Sequence, residues 1–167
     1  YLSRADSEVI GLIGSGGMAR TFLEAFCCVR SIKACRVYSP TNGHKEAFAE
    51  EMSGKLSIEV IPVSNPREAI AGADIVSSAT DSMVPVYDAA WLEPGQHVTN
   101  LGRREMPEEA ISRFDVVVRQ GVAGLQMKQS DIFQAERGHS PAAFIGGTPE
   151  QQHVIPAKNP SPGFGGD

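Results

Sequence analysis

The feature that most constrains this chain is the run Gly11-Leu12-Ile13-Gly14-Ser15-Gly16-Gly17-Met18-Ala19-Arg20. It matches Gly-x-Gly-x-x-Ala at Gly14, Gly16 and Ala19, the pattern that carries a chain from a strand into a helix around a pyrophosphate. Gly14 permits the tight turn, Gly16 lets backbone approach a phosphate, and small Ala19 allows the helix to pack close on the strand. The helix that starts here would aim free N–H groups and its positive dipole end at the phosphates. Alone the pattern is weak, since a tight turn without a ligand would also satisfy it. Its context makes it informative: the apolar run Val9 to Ile13 precedes it, and Met18, Phe22, Phe26 and Val29 follow at helical spacing.

The alternation continues along the chain. Cys35–Tyr38 reads as a second strand, a helix follows around Glu46–Met52, and Ile58–Val63 reads as a third strand. Asn65-Pro66-Arg67-Glu68 has the grammar of a helix start, with Asn as cap, Pro at the first helical position and Glu reaching back; Gly72 ends that helix. Further strands are expected at Asp74–Ala79, His97–Leu101 and Asp115–Arg119, with a helix over Pro107–Arg113 between the last two. This pattern predicts an α/β fold: a doubly wound, mostly parallel sheet covered on both faces, with six strands in the Rossmann order 3-2-1-4-5-6. The dinucleotide-binding domain is expected to span residues 1–139. Residues 140–167, with prolines from Pro141 to Pro162 among many glycines, are expected to form an irregular tail or linker.

Composition narrows the function classes. With 167 residues and 41% hydrophobic content the chain can bury one real core. No stretch approaches the ~20 apolar residues of a membrane span, and Tyr1 to Asp6 lack a signal core, so a cytoplasmic location is expected. The missing initiator Met suggests a piece of something longer. The net charge of −5, with acids and bases interspersed, argues against nucleic acid as a partner. Cys27, Cys28 and Cys35 are odd in number and have no second pair with zinc spacing, so they read as buried thiols of a reducing compartment and no metal site is expected.

Two strand ends extend the site. About 20 residues past the third motif position, NAD-binding folds place an acid on the ribose 2′-hydroxyl. This chain has Ser39-Pro40-Thr41-Asn42-Gly43-His44-Lys45 there. Hydroxyls of Ser39 and Thr41, with Lys45 close by, suit a 2′-phosphate, so NADP is expected in preference to NAD. A helix-capping turn at Thr41 or Asn42 is compatible with the same residues. In doubly wound sheets the ligand lies outside the carboxyl ends of the strands, which would put Thr80 and Gly102 beside the ribose and nicotinamide. Asn100 reads equally as a ligand contact or a structural cap. His97 reads as packing, Arg103-Arg104 as a solvated or anion-facing pair, and His139 has no discernible role. No catalytic residue is assigned.

Taken together, Ile10 to Arg20, Arg36-Val37-Tyr38-Ser39, Ala47-Phe48-Ala49, Gly72 to Val76, Ala79-Thr80 and Trp91-Leu92-Glu93-Pro94-Gly95 resemble the cofactor domain of the ornithine cyclodeaminase/mu-crystallin family over roughly residues 8–120. Members of that family are about twice this length and usually homodimeric, and a second domain binds the substrate carboxylate. The resemblance implies pyrophosphate contacts at Gly14, Ser15, Gly16, Gly17, Met18 and Ala19. It implies ribose-phosphate contacts around Ser39, Pro40 and Thr41, and inner contacts at Ala79, Thr80 and Gly102. It also implies an NAD(P)H-dependent oxidoreductase acting on a small amino or imino acid, of the cyclic-imine reductase or amino-acid dehydrogenase kind. Alternatives are ornithine cyclisation with retained NAD and non-catalytic NADP(H) binding as in mu-crystallin. One departure matters: cyclodeaminases carry a proton-transferring Asp shortly after the glycine that ends the fifth strand. Here Gly102 is followed by Arg103-Arg104-Glu105-Met106, which weakens cyclodeamination and leaves Glu105 as a substitute.

Overall fold

Val9–Ile13 (β1) is buried along nearly its whole length because it has strands on both sides. Ala34–Tyr38 (β2), Glu59–Pro62 (β3), Ile75–Ser78 (β4) and His97–Asn100 (β5) complete a five-stranded sheet. The spatial order is β3-β2-β1-β4-β5, and all pairings are parallel. The computed structural model describes residues 2–41, 43–102, 104–120 and 152–156.

Between the strands lie Gly17–Val29 (α1), His44–Leu56 (α2) and the short Pro66–Ile70 (α3). Ile10, Leu12, Cys35, Val37 and Val60 share a core with Leu23 of α1 and with Phe48 and Met52 of α2. Each fully buried Leu or Phe there contributes about 1.5–3 kcal/mol of apolar burial. Successive strand residues point to opposite faces, so Gly11 looks the other way. A Cβ on Gly11 would lie 2.9 Å from the carbonyl carbon of Ala69, so α3 packs directly on the backbone of β1.

The Asn65 cap forms as the sequence predicts: its Oδ1 accepts from Glu68 N at 3.0 Å, and Glu68 Oε2 accepts from Ser64 N at 2.9 Å. At the start of α2 a side-chain cap does not form on Thr41. The cap residue is Gly43, at φ +81 with no side-chain capping bond, and Thr41 takes part through its carbonyl, which accepts from His44 N at 3.3 Å. Asn42 lies outside the described residues.

The chain divides into two compact units, Tyr1–Pro107 and Glu108–Asp167. In the second, the segment read as a helix is the 3-10 helix Glu108–Arg113. Val116–Gln120 (β6) pairs antiparallel with Gln152–Pro156 (β7). Among the described residues, then, no sixth strand extends the parallel sheet, and part of the expected irregular tail is a strand. Three successive valines specify an extended segment but not its partner, which is why the expected order overreached. The boundary expected at 139/140 and most of the tail lie outside the described residues.

The three thiols are free, but only Cys35 is buried as expected: Cys27 is half-buried and Cys28 exposed, because α1 sets Cys27 at the edge of the core and turns Cys28 away from the sheet. Burial pushes the thiols of Cys35 and Cys27 up. Among the described residues no helix is long and apolar enough to cross a membrane.

Candidate functional site

The ladders put four strand ends level with one another. Ile13 lies opposite Tyr38 on one side and Ser78 on the other, and Ser78 lies opposite Asn100. The chain leaves β1 toward β2 and returns on the far side as β4, so the β1–β4 edge is where the strand order reverses. In open α/β sheets a ligand crevice forms there. The next residues are Gly14, Ser39, Ala79 and Leu101, so the sequence-predicted residues of three separate segments meet at one sheet edge.

Gly14 and Gly16 serve different ends. Gly14 has φ +107, a Cβ on it would lie 3.0 Å from the carbonyl carbon of Ala79, and its N–H donates to Tyr38 O at 2.8 Å. The fold itself requires glycine at this position. Gly16 has φ −80 and ψ −171, an extended conformation any residue can adopt, and a Cβ on either Gly16 or Gly17 would meet nothing within 4 Å. Nothing within the described residues requires glycine at Gly16 or Gly17, and both are exposed, with partly exposed Ser15 and exposed Met18 on either side. The first turn of α1 has neither a side-chain cap nor an acidic residue, which leaves its N–H groups free of internal competition. Ala19 is fully buried, as close helix–strand packing demands.

Arg20 has a role that the glycine motif alone does not assign. Its Nη1 donates to the carbonyls of Ser15 at 2.8 Å and Gly16 at 3.2 Å, which turns those oxygens toward the arginine. The guanidinium also pairs with Glu51 of α2 at 2.7 Å and stands 5.2 Å from the Phe48 ring centroid. Glu51 raises the arginine's pKa, and Arg20 in turn lowers that of Glu51, chiefly through their hydrogen bond. An arginine four residues past a helix cap can reach back over the turn, and that spacing was the available signal.

At the end of β2, Ser39 is buried beside the glycine turn, while Pro40 and Thr41 are exposed. Lys45 is less free than expected: its Nζ donates to Val63 O at 2.8 Å and stands 5.9 Å from the Tyr38 ring centroid. One of three ammonium donors is thus used. No carboxylate occupies Ser39 to Thr41, and Glu46 is exposed on the first turn of α2.

The inner end is built on Glu105, which is fully buried. Thr80 N and Thr80 Oγ1 donate to its Oε1, and Gly102 N donates to its Oε2 at 2.5 Å. Ser78 Oγ lies 3.2 Å from Oε2 and 2.6 Å from Asn100 Oδ1, and its single proton can serve one of them. Tyr87, which the sequence did not single out, donates to Asn100 Oδ1 at 3.0 Å. Burial chiefly, with Glu105 nearby, pushes its phenol up. Asn100 is therefore a structural tie between the loop after β4 and the end of β5. His97 starts β5, at the opposite end of the strand from the site, and burial lowers its pKa. Arg104 is exposed; Arg103 and His139 lie outside the described residues.

A parallel sheet with this reversal, and a glycine turn open toward it, defines a Rossmann-type nucleotide-binding domain. The chain belongs to the ornithine cyclodeaminase/mu-crystallin family, whose model matches residues 1–136. It is 31% identical over 123 residues to a delta(1)-pyrroline-2-carboxylate reductase of Bacillus cereus, covering 71% of this chain and 38% of the relative. It is 28% identical over 149 residues to the ketimine reductase mu-crystallin of Rattus norvegicus, covering 83% and 46%. Among solved structures it matches the Thermococcus litoralis delta(1)-pyrroline-2-carboxylate reductase in complex with NADH and L-proline. That match has a TM-score of 0.67 at 39% identity, over 69% of this chain and 37% of the other. The chain thus spans less than half the length of each of these relatives.

Proposed function

We propose that the chain is the NADP(H)-holding domain of an oxidoreductase that acts on a small amino or imino acid, as cyclic-imine reductases and amino-acid dehydrogenases do. One observation carries the cofactor reading: Gly16 and Gly17 are glycines at an exposed turn where, among the described residues, a would-be Cβ meets no packing neighbour within 4 Å. A ligand backed against the turn explains that choice, and a pyrophosphate fits the uncapped N–H groups beside it.

Gly14 to Ala19 would hold the pyrophosphate, Ser39, Pro40, Thr41 and Lys45 the ribose and its 2′-phosphate, and Ala79, Thr80 and Gly102 the inner end. When bound, the nicotinamide supplies hydride chemistry. The residues at this sheet edge bind and orient it. Arg20 holds the glycine turn from behind, and Thr80 and Gly102 form the wall against which the inner end rests. The NADP preference rests on the absence of a carboxylate at Ser39 to Thr41, although the Thermococcus relative is named with NADH. The amino- or imino-acid substrate rests on the names of the relatives, and a homodimer of the longer protein rests on the family resemblance.

The test is calorimetric titration of NADPH and NADH into the wild type and Gly16→Val. The branched side chain would occupy the space backbone needs to approach phosphate, so affinity should fall at least tenfold in a variant that remains folded. Unchanged affinity would sink the assignment.

A further inference from the structure

We propose that Glu105 is a positioning residue for the inner end of the cofactor site, not a substitute proton-transfer group. This rests on the dinucleotide reading above. Glu105 is 0% exposed, and both carboxylate oxygens are engaged inward. Oε1 takes the Thr80 N–H and hydroxyl, and Oε2 takes the Gly102 N–H with the Ser78 hydroxyl alongside. A carboxylate has about four acceptor sites; three donors point at this one and the Ser78 hydroxyl lies against the fourth. It cannot meet a substrate atom without opening that ring.

The same ring joins the ends of β4 and β5. Glu105 O also accepts from Val86 N at 2.9 Å, which brings the loop after β4 onto the same residue. Gly102 completes the arrangement, because a Cβ there would lie 2.9 Å from both Cγ and Cδ of Glu105. Glycine at that strand end leaves the room in which the carboxylate closes beneath it. Thr80 is polarised by the same contacts: its hydroxyl proton goes to Glu105, and its oxygen accepts from Ser82 N at 3.2 Å. Toward a ligand it offers a lone pair and a methyl group, so it would receive a hydrogen bond from the cofactor rather than give one.

Glu105→Gln tests this, because the amide must turn an N–H toward one of the N–H donors it now accepts. The measurement is the dissociation constant for NADPH and for 2′-phospho-ADP-ribose, which lacks the nicotinamide, with NADH and ADP-ribose in parallel. Loss of one charge-assisted contact predicts roughly tenfold weaker dinucleotide binding, with the nicotinamide-free ligands changed less than about twofold. Unchanged dinucleotide affinity, or an equal loss for both kinds of ligand, would overturn the proposal. Should Glu105→Gln fail to fold, Glu105→Asp keeps the charge but withdraws the carboxylate from Thr80 and Gly102, and the same split must appear. Wild type that binds the ligands while neither variant shows the split refutes the inference alone. Wild type that binds none of the four overturns the dinucleotide reading with it.

Discussion

The two motif glycines should fail in opposite ways when substituted. At Gly14 the backbone sits at φ +107, where an L side chain is strained by about 1–3 kcal/mol. An added Cβ would also press on the Ala79 carbonyl, whose carbon is 3.0 Å away. That neighbour is backbone at the end of β4 and cannot rotate clear, so the β1 and β4 ends must part, at a further ~1–3 kcal/mol. Gly14→Ala should therefore destabilise by about 2–6 kcal/mol, a large share of the roughly 5–15 kcal/mol typical of a domain. For a unit of this size the melting temperature should drop by roughly 10–30 °C. Gly16→Val faces no neighbour and an ordinary extended φ, so its stability should stay within about 1 kcal/mol of wild type while its dinucleotide affinity falls. Thermal melts by circular dichroism check the first half, and titration checks the second. A Gly14→Ala protein that melts within about 3 °C of wild type would refute the packing argument.

Two further outcomes are expected. Ser39→Asp should reverse or erase a preference for NADPH over NADH in paired titrations, since charge-assisted contacts to the 2′-phosphate are worth about 1.5–3 kcal/mol each; a wild type that already prefers NADH would reduce Ser39 to a turn residue. Asp74 accepts from Glu8 N at 2.8 Å and Val9 N at 2.9 Å and pairs with Arg4. Burial pushes its carboxyl up, but those hydrogen bonds and the Arg4 charge together hold it below the ordinary range. Its stabilisation is therefore present above the unfolded carboxylate pKa of about 4 and is lost as pH falls through the lowered folded value. Asp74→Asn should be less stable than wild type at pH ~7, with the gap narrowing toward pH ~3, in urea unfolding at both. A gap of equal size at the two pH values would contradict this.

Local instructions carried far in this chain. The glycine turn, the Asn65-Pro66 helix start and the apolar runs each describe geometry within a few residues, and each element formed where its pattern predicted, to within a few positions. Even the absence of an acid at Ser39 to Thr41 is a statement about one strand end. The inner end of the site was less legible, because its parts lie apart in sequence. Ser78, Thr80, Tyr87, Asn100, Gly102 and Glu105 form one network only after β4 and β5 have paired in register.

By itself, then, the sequence determined the strands and helices of the parallel sheet, the glycine turn and its family, because those depend on backbone preference and periodicity. Only the tertiary structure decided that Gly14 answers to Ala79 while Gly16 answers to nothing among the described residues. It alone turned Arg20 back onto the turn, closed Glu105 under Gly102, and gave β6 an antiparallel partner in place of the sheet. Those choices depend on which backbone atoms meet across long stretches of chain, and no local pattern encodes that distance.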